Sequence, residues 1–391
     1  MRKVLLIRYG EIHLKGQNRP FFIRMLAEDI KNALQGLGAT VTRAQGRFYV
    51  ENYPVELEDE AIDRLTRIFG IYSVSPAREV EKDWAAVCQN AAQMMAEETA
   101  SRGGSCTFKV FARRSDKTFP LTSMQIAPEL GGYLLEHVPG LSVDVHEPDV
   151  PLGVEIREHA YLYTGEIPGS GGMPAGSNGR AALLLSGGID SPVAGHMVMK
   201  RGVEIECIHF HSFPYTSERA RDKVVSLTRL LSRYSGSIRL HIVHFTDVQM
   251  AIYEACPDSQ TTILIRRAMM RIAERIAAAN ECRALVTGEA IGQVASQTLE
   301  SLCATDSVVG MPVFRPCIGF DKSEIMERAR KIGTYETSIL PYEDCCTIFT
   351  PKHPVTHPRL RDIEASERKL TNYEELLQGA IGRTETLLVT P

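Results

Sequence analysis

The spacing of apolar residues follows one pattern before about residue 165 and another after about residue 178. In the first part short elements mix. Residues 4–8 read as a strand, and Phe22, Met25, Leu26, Ile30 and Leu34 recur at helical spacing within 20–37, where Gly36 and Gly38 stop the helix. Residues 40–43 and 47–51 read as two strands around Ala44-Gln45-Gly46, and 58–69 as an amphipathic helix ended by Gly70. From about Ile71 the spacing predicts helices over 84–100 and 123–137, with strands at 107–112, 143–146, 154–157 and 160–164. This mixture is that of small α+β domains.

Residues 166–178 are rich in Gly, Pro and Ser and read as a linker. Beyond them, strands at 181–185, 203–210, 238–244 and 284–287 alternate with helices at 191–201, 217–234, 261–280 and 323–332. That alternation predicts an α/β fold with a doubly wound parallel sheet. Ligands of such sheets bind beyond the carboxyl ends of the strands.

Composition narrows the class. At 391 residues, 44% apolar and 24% charged, the chain has room for two or three ordinary globular domains. It contains no run of about 18 apolar residues, and its first apolar run is too short for a signal peptide, so a cytoplasmic protein is expected. A net charge of −4 excludes a globally basic nucleic-acid binder but not a local basic patch. Nine cysteines without a Cys-x-x-Cys pair argue against a disulfide framework and a zinc ribbon, and no metal-ligating residues are assigned.

The most informative stretch is Leu183-Leu184-Leu185-Ser186-Gly187-Gly188-Ile189-Asp190-Ser191-Pro192, an apolar strand entering a Gly-rich turn before a helix. Two glycines let backbone N–H groups close on an anion, and the helix N-terminus adds free donors. Ser186 and Ser191 can add hydroxyl bonds. Asp190 would repel phosphate unless it holds a cation or fixes the loop. No Gly-x-x-x-x-Gly-Lys-Ser/Thr loop occurs.

Three further features stand out. Cys345 and Cys346 lie in Pro341-Tyr342-Glu343-Asp344-Cys345-Cys346, and Lys352 and His353 follow. An exposed thiol there could carry a persulfide or attack carbon, although Glu343 and Asp344 would raise its pKa. Asp321 reads as a helix cap with Glu324 three residues on, leaving Lys322 able to reach a phosphate. Lys109, Arg113, Arg114 and Lys117 interleave with Phe108, Phe111 and Phe119, a surface suited to RNA backbone that Arg102 would extend.

Together these residues resemble the tRNA 4-thiouridine synthetase family over essentially the whole chain. The matches are Ser-Gly-Gly-Ile-Asp-Ser at 186–191, Val-Thr-Gly-Glu-Ala-x-Gly-Gln-Val-x-Ser-Gln at 286–297, Asp321-Lys322, and Leu-Pro-Tyr-Glu-Asp-Cys-Cys at 340–346. The resemblance implies an N-terminal ferredoxin-like domain (1–59), a THUMP RNA-binding domain (60–165), the linker, and a PP-loop ATP pyrophosphatase domain (179–391) of the adenine nucleotide alpha hydrolase type. It also implies ATP contacts at Leu184, Leu185, Ser186, Gly187, Gly188, Asp190, Ser191, His209, Phe210, Arg266, Gly288 and Gln297. Asp190 and Lys322 would serve adenylation, and the sulfur-bearing cysteine would be Cys345 or Cys346, with Cys345 slightly favoured. Cys207 stays open as a pairing partner.

The implied reaction adenylates C4 of uridine at tRNA position 8, using ATP and Mg²⁺, and then replaces the oxygen with persulfide sulfur. Only about 45 residues follow the cysteine pair, too few for the rhodanese domain of some members, so a cysteine desulfurase is the expected donor, directly or through a carrier. A second role, sulfur transfer to the carrier protein ThiS for thiamine thiazole synthesis, and a homodimer are compatible with the family. The competing readings are a PP-loop enzyme with another nucleophile, such as an amidotransferase, and an RNA-binding module that does not turn ATP over.

Overall fold

The computed structural model describes residues 2–44, 46–342, 351 and 353–391. They fall into two units, Met1–Gly172 and Met173–Pro391.

The first unit begins with β1 (Arg2–Tyr9), α1 (Arg19–Ala33), β2 (Thr40–Ala44), β3 (Arg47–Glu51), α2 (Glu58–Arg67) and β4 (Ile71–Val80), a βαββαβ run of the ferredoxin-like kind. β1 lies antiparallel between β3 and β4, with Leu5 opposite both Val50 and Pro76. The chain continues through α3 (Trp84–Ser101), β5 (Cys106–Arg114), α4 (Ser123–His137), β6 (Leu141–Val143), β7 (Val150–Ile156), β8 (Ala160–Tyr163) and β9 (Ile167–Pro168). All of these strands join one sheet in the order β2-β3-β1-β4-β8-β7-β5-β6, with β9 on β4. A boundary at 59/60 would therefore fall inside α2, whose chain returns along β1 as β4.

Strand alternation assigns the two faces of this sheet. Val154, Ile156 and Phe108 pack with Val87, Met95, Ile126, Leu130 and Leu134 of α3 and α4. The intervening Glu155 therefore points to the opposite face, where Val4, Leu6, Tyr49, Tyr161 and Tyr163 cluster.

Residues 166–178 do not run free. Gly169 N donates to Tyr72 O and Ser170 N to Thr66 O, both at 2.8 Å. A Cβ at Gly169 would stand 2.4 Å from Ile71 O, so this close approach requires glycine. From Met173, whose N donates to Lys200 O at 3.0 Å, the chain is pinned to the second unit.

That unit contains β10 (Arg180–Leu184), α5 (Asp190–Met199), β11 (Glu204–His211), α6 (Glu218–Ser235), β12 (Ile238–His244), α7 (Thr246–Ala255), α8 (Thr261–Ala279) and β13 (Leu285–Val286). It continues with α9 (Leu299–Asp306), β14 (Val313–Phe314), α10 (Lys322–Lys331), α11 (Tyr335–Ser338), α12 (Leu360–Glu367), α13 (Tyr373–Gly382) and β15 (Glu385–Val389). The sheet order is β14-β13-β10-β11-β12-β15, parallel except for β15 at one edge. Ile208, Phe210, Val243 and Phe245 pack on Ile263, Leu264, Ala268 and Ile272 of α8 in its main core.

The chain steps outward from β10 to β11 and β12, then crosses back to place β13 on the other side of β10. The carboxyl ends of β10 and β13 thus flank the topological switch point, where open α/β sheets hold their ligands. Among the described residues no helix is long and apolar enough to cross a membrane.

Candidate active site

The loop leaving β10 is built around two serines. Ser186 N donates to Ser191 Oγ at 3.0 Å, the two hydroxyls lie 3.1 Å apart, and Gly188 N donates to Ser186 Oγ at 3.3 Å. These bonds curl Ser186, Gly187 and Gly188 over the start of α5. The first-turn N–H groups of α5 have no partner within the helix, so the loop and the helix end face the switch point as an anion cradle.

Asp190, the first residue of α5, is the hub of the site. Lys322 Nζ donates to its Oδ1 at 2.7 Å and Gln293 Nε2 to its Oδ2 at 3.0 Å. Lys322 is set by α10, whose N-cap Asp321 accepts from Glu324 N at 2.9 Å while Glu324 Oε2 accepts from Asp321 N at 3.1 Å. The expected capping and the reach of Lys322 toward the loop therefore coexist. Neutralised by Lys322, Asp190 no longer carries an isolated negative charge into an anion site.

Gly288 closes the cradle from the β13 side. A Cβ there would meet Ser191 N at 2.5 Å and the Asp190 carbonyl carbon at 2.6 Å. The next residue, Glu289, is 5% exposed and pairs with Arg266. Its Oε2 accepts from Thr287 Oγ1 at 2.8 Å and from Arg315 Nε at 2.6 Å, and Arg315 Nη1 reaches Asp306 Oδ2 at 3.0 Å. This buried ionic chain fixes residues 287–289, and Arg266 Nη1 also donates to Ser296 Oγ at 3.4 Å.

His209 and Gln297 join the same neighbourhood. His209 Nδ1 donates to Leu185 O at 3.0 Å, tying β11 to the head of the loop. Gln297 O accepts from Gly292 N at 3.0 Å, and its buried Oε1 has no hydrogen-bond partner among the described residues, which suits a bound ligand's donor. Leu185 and Phe210 differ. The Leu185 side chain is buried, and its backbone N donates to Ile208 O at 2.9 Å. The Phe210 ring is in the core edge-on to Phe245, 5.1 Å between centroids, and Leu184 packs against the same core.

Cys345 and Cys346 lie outside the described residues. Cys207 sits within β11 opposite Leu183 and Leu240, where burial pushes its thiol well above the ordinary range. Cys317 Sγ lies 3.9 Å from Asp190 O, and burial, then the nearby Asp190 carboxylate, push it up to about 11.

The expected RNA-contacting residues of the first unit do not form one patch. Lys109 and Arg113 share the face of β5 with exposed Phe111, and Lys109 Nζ lies 5.0 Å from that ring's centre. Arg114 turns to the other face, where Nη1 donates to Phe119 O at 3.0 Å and holds the following turn. Arg102 pairs with Glu98 at 3.6 Å beyond the end of α3, and Lys117 is exposed after β5.

Three family models match the chain: ThiI ferredoxin-like domain over residues 4–75, THUMP domain over 81–164, and Thiamine biosynthesis protein (ThiI) over 176–372. The chain is 54% identical over 392 residues to a probable tRNA sulfurtransferase of Acetivibrio thermocellus, covering 100% of both. The chain belongs to the ThiI family. A second member, a probable tRNA sulfurtransferase of Caldanaerobacter subterraneus, is 53% identical over 96% of this chain and 97% of its own. Among solved structures, a 4-thiouridine synthetase–RNA complex with bound ATP superposes with a TM-score of 0.90 at 41% identity, covering 100% of both chains.

The 286–297 run is legible as a motif, but nothing in it singles out Gln293 or Glu289. Glutamine and glutamate carry no signal of their own. Only folding brings Gln293 to Asp190, 103 residues away, and Glu289 to Arg266 and Arg315.

Proposed function

We propose that this protein is an ATP-dependent tRNA sulfurtransferase that makes 4-thiouridine, with uridine 8 as its target. The observation that carries this reading is the Asp190–Lys322–Gln293 cluster beside a serine–glycine cradle at the switch point of the sheet. The names and full-length coverage of the relatives support the same reading.

In this account the first-turn N–H groups of α5 and the two serine hydroxyls receive the β- and γ-phosphates of ATP, and Lys322 and Arg266 supply positive charge as negative charge accumulates. Gln297 Oε1 accepts a donor from the nucleotide. A Mg²⁺ ion would be held by Asp190 and the phosphates, since this ion takes one or two carboxylates beside phosphate oxygens. When bound, it neutralises the departing pyrophosphate. The uridine C4 oxygen attacks the α-phosphate, and its bond to phosphorus forms as the α–β bridge breaks. C4 now carries AMP in place of a poor leaving group. The terminal sulfur of a persulfide on Cys345 or Cys346 attacks C4, AMP departs with the original oxygen, and a second thiol cleaves the S–S bond to leave 4-thiouridine.

A cysteine desulfurase supplies the persulfide, and the reaction takes place in the cytoplasm. Homodimer assembly and sulfur transfer to ThiS, whose C-terminus is activated by the same adenylation, are compatible with this chemistry. In the first unit, Lys109, Phe111 and Arg113 meet the tRNA backbone.

Replacing Cys345 and Cys346 together by Ser should preserve tRNA-dependent AMP formation and abolish thiolation with a desulfurase donor. Full thiolation by that double variant would remove the cysteines from the mechanism. Bound tRNA without AMP formation in the unaltered protein would favour the non-catalytic reading.

A further inference from the structure

The segment leaving β11 carries two large rings at the surface. Phe213 is 59% exposed and Tyr215 49%. Yet the backbone beneath them is firmly tied. Ser212 N donates to Thr216 Oγ1 and Thr216 N to Ser212 O, both at 2.9 Å, and Thr216 Oγ1 shares a hydrogen bond with His211 Nδ1 at 3.1 Å. Ser212 Oγ donates to Gln249, and Thr246 Oγ1 donates to Phe213 O at 2.8 Å. Ser212 and Thr216 are buried. The loop thus turns its polar groups inward and holds its rings outward, opposite to what a solvated surface loop favours.

Its place in the unit gives the exposure a purpose. On one side, His209 ties the end of β11 to Leu185 at the head of the phosphate cradle. On the other, the loop runs into α6. There Arg219 stands 5.9 Å from the centre of the Tyr342 ring, and Lys223 Nζ donates to Leu340 O at 2.8 Å. Tyr342 precedes Cys345 by three residues in the sequence. The aromatic loop therefore connects the end of β11, which is tied to the head of the cradle, with α6, which contacts Leu340 and Tyr342 ahead of the cysteine pair.

We propose that Phe213 and Tyr215 form the platform on which the target pyrimidine stacks once it has left the tRNA helix, with C4 presented to the α-phosphate and then to sulfur. The proposal rests on the tRNA-thiolating reading above. An enzyme that works on a base atom must first unstack that base, and aromatic rings replace the lost stacking. The rings act as positioning residues.

The test uses the full-length protein with unmodified tRNA transcript, ATP, Mg²⁺ and sulfide, comparing wild type with Phe213→Ala, Tyr215→Ala and Phe213→Trp. A second transcript carries a fluorescent pyrimidine analogue at the target position and is titrated in the presence of a non-hydrolysable ATP analogue. The alanine variants should lose roughly 10- to 100-fold in kcat/KM for tRNA, the usual range for one stacking ring. They should also lose the quenching that wild type gives and bind ATP as wild type does without tRNA, whereas Phe213→Trp should keep both the wild-type kcat/KM and the quenching. Unchanged kcat/KM and quenching in both alanine variants would overturn the platform while leaving the thiolation reading intact. Weakened ATP binding without tRNA would overturn it in favour of adenine as the stacked ring. Wild type that forms no 4-thiouridine with either sulfide or a cysteine desulfurase plus cysteine as donor would remove the parent reading itself.

Discussion

Asp190 and Lys322 form an ion pair whose value lies in chemistry rather than stability. Lys322 is well exposed, and such pairs contribute about 0–1 kcal/mol to folding. Lys322→Ala should therefore lower AMP formation by about 100-fold or more while leaving the urea midpoint nearly unchanged. A comparable loss of stability would make the pair structural. Gly288 is the reverse case. The atoms its Cβ would strike at 2.5–2.7 Å belong to the backbone of α5, which no rotamer change relieves. Gly288→Ala should cost about 1–3 kcal/mol in a denaturant titration and displace the cradle enough to suppress ATP turnover. Glu289→Gln should cost up to about 3–5 kcal/mol, because it removes the counter-charge of the largely buried Arg266, while Arg315 keeps Asp306. The Ser-Gly-Gly-x-Asp-Ser loop was legible from its own residues because the backbone conformation it needs is written in glycine and serine. The partners of Asp190 and Glu289 were not, because their pairing depends on how distant strands align.

At the scale of elements, the first unit holds a charged knot among its strands. Glu155 on β7 is fully buried and accepts from Arg8 of β1 at 3.1 Å and from Arg157 at 2.8 Å, with Arg47 of β3 3.8 Å away. Tyr163 of β8 donates to it at 3.3 Å. Burial works to raise the Glu155 pKa, but Arg47, Arg157 and Arg8 outweigh it and hold the carboxyl below its ordinary range. A carboxyl depressed in the folded state contributes stability above its unfolded pKa and loses it as pH falls through the folded value. Acid titration of the melting temperature should show that loss below the ordinary glutamate range. Glu155→Gln should lower stability at neutral pH and flatten this part of the acid dependence; an unchanged profile would contradict the assignment.

Periodicity announced the strand at Ile238–His244 to the residue and the helix Thr261–Ala279 to within one residue. It missed β4, whose apolar positions are interrupted by Ser73, Ser75, Pro76 and Arg78. Two of those polar side chains serve the interior: Ser75 Oγ accepts from Arg8 Nη1 at 2.9 Å, and Ser73 Oγ donates to Glu166 Oε2 at 3.1 Å. The edge strand β15 was missed as well; its exposed positions include Leu388, so no alternation marks it.

At the scale of the molecule, the alternation of strands and helices after residue 178 gave the doubly wound class, but not where the chain reverses. That reversal puts the ends of β10 and β13 side by side and assembles Ser186, Asp190, Gly288, Gln293 and Lys322, which are spread over more than a hundred residues of sequence. The Gly/Pro-rich stretch was legible as a place where one unit gives way to the next. Its composition concealed that residues 167–170 are hydrogen-bonded to the first unit and Met173 to the second.

The central claim is that the C4 oxygen of a tRNA uridine is activated by joining the α-phosphate of ATP. A transcript labelled with heavy oxygen at that C4 position, incubated with the full-length protein, ATP, Mg²⁺ and sulfide, tests this directly by mass analysis of the released AMP. The account predicts AMP that carries the heavy oxygen, in amounts matching the 4-thiouridine formed. AMP without the label, alongside thiolated tRNA, would contradict it.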